Sequence, residues 1–124
     1  MKHLNYPFVI LFSCLLILTA CSPHPGTGVW SANAENKYGL SKIIIAFNGR
    51  AEFTTTRLMK TKWHCFWGKK TKTILSLDCS PASNPEQSRK FTIVSLDKMS
   101  AELREAGKPI ATLKRVDENP VLTK

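Results

Sequence analysis

Trp63, Cys65 and Trp67 recur at every second position, with Lys62, His64 and Phe66 between them. After Gly68-Lys69-Lys70 the same spacing returns in Leu75, Leu77 and Cys79. A period of two sends alternate side chains to opposite faces of an extended strand. The two stretches therefore predict strands joined by a turn, with each cysteine on the apolar face of its own strand. That phase agreement points to a buried disulfide, Cys65–Cys79, across one hairpin. A closed loop of about 15 residues contributes on the order of 3 kcal/mol in the chain-entropy picture. The alternatives are free thiols or a metal site built from His64, Cys65 and Cys79. One histidine beside a cysteine, with the second cysteine far along the chain, is not a zinc-ligand spacing.

The rest of the chain carries the same kind of signal. Lys42 to Phe47 is β-branched and apolar, as a strand covered on both faces would be. Asn48-Gly49 is a strong hairpin signal, because both residues tolerate positive φ, and Arg50 to Leu58 reads as the return strand. Phe91 to Leu96 and Ile110 to Val116 complete the pattern, with Gly107-Lys108-Pro109 as a turn before the latter. Ser100 to Ala106 reads as a strand, although Ala, Glu, Leu and Arg would also suit one or two helical turns. About seven short strands in chain order predict an all-β domain, an antiparallel meander that closes into a barrel or packs as a sandwich. The core candidates are Trp30, Phe47, Phe53, Trp63 and Trp67, followed by Leu75, Leu77, Phe91, Val94 and Leu103.

The first residues do not belong to that pattern. Lys2 and His3 precede an apolar run from Phe8 to Leu18, and no acid occurs before Glu35. The run has the length of a signal-peptide core and is shorter than the ~20 residues a membrane-spanning helix needs. Leu18-Thr19-Ala20 then leads into Cys21. This segment, a basic start, an apolar core, small residues and then cysteine, resembles the signal peptide and lipobox of a bacterial lipoprotein of Gram-negative type. The resemblance covers residues 1–21. It implies that the Cys21 thiol receives a diacylglycerol, that residues 1–20 are removed, and that Cys21 becomes the acylated N-terminus. Ser22 implies the outer membrane, facing the periplasm, since an Asp there tends to retain such proteins in the inner membrane, which stays the alternative. An uncleaved N-terminal anchor is the other reading of the same residues. Gly28-Val29-Trp30 before a meander resembles the opening of lipocalin-like small barrels and implies a fold only, with no ligand.

These boundaries divide the 124 residues into a signal peptide at 1–20, a lipidated cysteine with a short Pro/Gly tether at 21–27, a β domain at 28–116 and a flexible tail at 117–124. The formal charge of +9 falls by one when Lys2 leaves. Export to an oxidising compartment favours the disulfide further.

Catalytic patterns are missing from the sequence. No nucleophile elbow, zinc-protease helix or phosphate-cradling glycine loop occurs. His64 and Cys65 are adjacent in a strand, so imidazole and thiol diverge. The expectation is a protein that is not an enzyme and holds no cofactor and no metal. The remaining clue is charge. Arg57, Lys60, Lys62, Lys69, Lys70 and Lys72 have no acid among them, and Trp63, Phe66 and Trp67 are interleaved. Such a stretch either solvates a hairpin or forms a surface for an anionic partner, such as lipopolysaccharide or phospholipid head groups, with Phe66 stacking or inserting. The leading functional expectation is a membrane-anchored envelope lipoprotein whose β domain is an accessory module that docks a protein partner. The alternative is a binding module for an anionic lipid or glycan through the Lys/aromatic patch. No nucleic-acid partner is expected.

Overall fold

The structure, a computed structural model, describes residues 23–33, 35–55 and 62–122. The signal-peptide and lipobox expectations, with Cys21, Arg57 and Lys60, lie outside the described residues. Eight strands follow one another: β1 (Gly28–Ala32), β2 (Leu40–Ile45), β3 (Arg50–Thr55), β4 (Trp63–Lys69), β5 (Ile74–Pro81), β6 (Arg89–Ser95), β7 (Ser100–Glu105) and β8 (Lys108–Asp117). Each pairs antiparallel with the next, and β1 pairs with β8, so the sheet is a closed barrel. The all-β meander is therefore a barrel and not a sandwich. The strand beyond the expected seven is β1, whose Trp30 lies opposite both Ile43 of β2 and Arg115 of β8 and so closes the ring.

The interior follows the period of two. Trp30, Ile43, Phe53 and Trp63 form one cross-strand row, and Leu75, Ile93, Leu103 and Ala111 another. All are buried. Most other outward positions from β4 to β8 are polar, as with His64, Ser76, Asp78, Lys90, Glu102 and Lys114. That polarity is the reverse of a membrane-spanning barrel, which is apolar outside and polar within. In β2, Ile43, Ile44 and Ile45 are all buried, as expected for a strand covered on both faces.

Three core assignments change. Phe47 is 57% exposed, because β2 ends at Ile45 and Phe47 sits in the turn beyond it. Val94 points outward and Ile93 takes the interior position, in phase with Phe91. Trp67 is only partly buried and packs against the core from its edge. The helical alternative for Ser100 to Ala106 gives way to β7. Ala101 and Leu103 alternate into the core there, and packing overrides helix propensity.

Cys65 and Cys79 stand directly opposite each other in β4 and β5 and are joined as a disulfide, with Cα atoms 4.0 Å apart. The bond uses both thiols, so the metal-site alternative loses its sulfur ligands.

Candidate functional site

The barrel has two unlike ends. The connections β2–β3, β4–β5 and β6–β7 lie at one end, where residues 23–27 enter. The connections β1–β2, β5–β6 and β7–β8 lie at the other.

The entry end is plugged. Thr27 donates from its hydroxyl to the His24 carbonyl at 2.7 Å, and the Gly26 N–H donates to His24 Nδ1 at 3.0 Å. His24 Nε2 lies 2.8 Å from the Thr71 carbonyl in the β4–β5 turn. The Trp30 indole N–H donates to the Gly26 carbonyl at 3.0 Å. Arg115, inward-facing at the end of β8, lies 4.3 Å over the Trp30 ring. Its guanidinium donates to the carbonyls of Pro25, Thr27 and Lys98. Residues 24–27 are thus folded over the barrel rim, and Gly26 and Thr27 are buried. The sequence suggested only a short Pro/Gly tether here. The side-chain and backbone bonds around His24 and Arg115 replace the regular structure that the prolines prevent.

The opposite end is an open mouth. A cavity of about 180 Å³ is walled by Leu40, Phe53, Trp63, Phe91 and Leu103, with Tyr38, Thr55 and Arg89 also lining it. Phe53 and Phe91 lie 5.4 Å apart at their centroids, and Tyr38 meets Phe91 edge-on at 6.2 Å. A polar cluster stands beside the aromatics. Tyr38 donates its hydroxyl hydrogen to Glu105, and Arg89 donates to the Tyr38 oxygen and, at 3.2 Å, to Glu105. Burial, and then the bond to Glu105, push the Tyr38 hydroxyl above its usual pKa. Arg89 also lies 5.1 Å over the Tyr38 ring. Arg89 opens β6 and Glu105 closes β7, so the sheet itself delivers both charges to the mouth.

The basic stretch does not form one surface. Lys62 precedes β4 at the mouth, whereas Lys69, Lys70 and Lys72 surround the β4–β5 turn at the plugged end. The length of β4 separates them, roughly 20 Å at about 3.3 Å per residue. Phe66 stands between on the outer wall, 67% exposed, with Arg50 and Asp78 as its cross-strand neighbours. His64 is likewise outward and Cys65 inward, so the two cannot act as a nucleophile pair.

The mouth cluster was not legible in advance, because Tyr38, Arg89 and Glu105 are far apart in the chain and obey no short motif. The one available signal was parity, since Arg89 shares the phase of Phe91. No protein-family model, curated protein or solved structure matches this chain.

Proposed function

We propose that the protein is a lipid-anchored envelope lipoprotein, held at Cys21, whose barrel is a non-enzymatic accessory module that docks a protein partner at its open mouth. The anchor is read as lying in the outer membrane with the barrel facing the periplasm. The observation that carries the docking reading is the mouth itself: an aromatic hollow beside a charged Tyr38–Arg89–Glu105 cluster, at the end away from the entering chain. Small-molecule sites usually enclose about 300–1,000 Å³. A hollow of about 180 Å³ suits an apolar side chain of a partner better. Arginine and aromatic residues around a pocket are also the groups that tend to dominate protein interfaces. The three ionisable groups of the cluster bond to one another, which favours recognition over acid–base chemistry.

A photo-crosslinking residue at Thr55, beside the mouth, should trap one discrete adduct in the intact envelope. The same residue at Phe66, on the wall, should not. No adduct at Thr55, or equal adducts from both, overturns the docking reading. Cys21→Ser should remove the acyl mass and release the protein from membranes; retention would argue instead for an uncleaved anchor.

A further inference from the structure

The large exposed apolar side chains are unevenly spread. Phe47 of the β2–β3 turn, Leu96 and Met99 of the β6–β7 turn, and Val116 near the end of β8 all lie at the plugged end and are each half or more exposed. Among the described residues, the loops at the open mouth carry none. Phe47 and Leu96 share one hollow with Pro23, and Lys69 and Lys72 share another with the same Pro23. Pro23 thus marks the centre of this surface. It is also two residues from Cys21, a reach of at most about 7 Å.

The same end also gathers three lysines around the β4–β5 turn. Lys69, Lys70 and Lys72 are exposed, and none makes a salt bridge among the described residues. The acids nearby are engaged. Asp97 accepts from the Ser100 hydroxyl and from the Met99 and Ser100 N–H groups, Asp117 accepts from the Asn119 N–H, and Glu118 faces Lys98 at 3.8 Å. Apolar tips beside free ammonium groups, around the point where the chain leaves toward its anchor, match the interfacial layer of an anionic bilayer.

We infer that the plugged end is a membrane-apposed face: Phe47 and Leu96 enter the interfacial layer of an anionic phospholipid bilayer, and Lys69, Lys70 and Lys72 lie among its headgroups. The inference rests on the anchored reading of Cys21. The plug pins the chain to the barrel rim, so a short acylated N-terminus draws this end down and turns the mouth away from the membrane.

The test uses protein purified with its lipid and reconstituted into phosphatidylethanolamine/phosphatidylglycerol vesicles containing brominated acyl chains. Phe47→Trp and Phe66→Trp each add one fluorophore at an exposed position, with Leu96→Trp as a second reporter of the face. The added fluorescence at 47 and 96 should be quenched at least about twofold more than that at 66. Equal quenching, or stronger quenching at 66, overturns the face. Combining Lys69→Ser, Lys70→Ser and Lys72→Ser should lower the quenching at 47 at low salt and leave it little changed at high salt. Quenching at 47 that ignores these substitutions overturns the headgroup contact. The mass of the N-terminal peptide reports the anchor separately. An unacylated Cys21 overturns the anchored reading, whereas acylated protein with equal quenching overturns the face alone.

Discussion

Gly28 shows how one residue fixes an end of the barrel. Its φ is +128°, and a Cβ there would lie 2.4 Å from Arg115 Nη1 and 2.8 Å from the Asp117 carbonyl. The Gly-x-Trp pattern thus has a mechanical basis: the missing side chain lets Arg115 pass between Trp30 and the Thr27 carbonyl. Gly28→Ala should cost about 1–3 kcal/mol for the backbone alone, and more if Arg115 is displaced. Urea midpoints would measure it, and an unchanged midpoint would contradict the role given to Arg115. Tyr38 makes the matching case at the mouth. Its folded pKa is raised from 10.0, first by burial and then by the bond to Glu105. Folding therefore favours the neutral phenol. That contribution is complete below the unfolded value near 10 and disappears as pH rises through the folded one. As pH rises past about 10 the wild type should lose stability more steeply than Tyr38→Phe, which has no proton to release there.

At the scale of the element, the β4–β5 hairpin is the best-determined piece. Replacing Cys65 and Cys79 together by alanine should lower stability by about 3 kcal/mol, read as a shift in urea midpoint under non-reducing conditions. An unchanged midpoint would mean that the ladder alone holds this hairpin. This hairpin was also the most legible part of the chain, because its two alternating runs agree in phase. Turn chemistry was less legible. Asn48-Gly49 suggested a two-residue hairpin turn, which needs positive φ at both central positions. Only Gly49 has it, at 85°, and the Ala46 N–H bonds to the Arg50 carbonyl, leaving Phe47-Asn48-Gly49 as a three-residue loop. That longer loop lifts Phe47 out of the core. The doubly positive turn occurs instead at Ala106-Gly107, with φ of 53° and 78°, where alanine gives no such signal. The plug was missed for a related reason. Proline and glycine announce the loss of regular structure, not the side-chain bonds that replace it. The mouth cluster depends on which strand ends meet around the ring, and local sequence does not encode that.

For the whole molecule, the decisive contact is the last one. Seven of the eight pairings join consecutive strands, so their partners lie near each other along the chain. The eighth joins β1 to β8, and the Arg115–Thr27 bond across that seam spans 88 positions. Closing so long a loop carries an entropic penalty that grows slowly with length. It is offset by burial of Ala111 and Leu113, by the β1–β8 ladder and by the Arg115 clamp on the plug. Without β8, both β1 and β7 become open edges and Trp30 loses its cover. A chain ending after Gly107 should therefore show no sigmoidal urea transition by tryptophan fluorescence. A chain ending after Glu118 keeps the seam intact and should unfold within about 1 kcal/mol of the full protein. If the shorter chain still unfolded cooperatively, the first seven strands would form a stable open sheet, and closure would serve only to place the plug. The two truncations therefore separate a barrel that needs its seam to fold from one that needs it only to hold its ends apart.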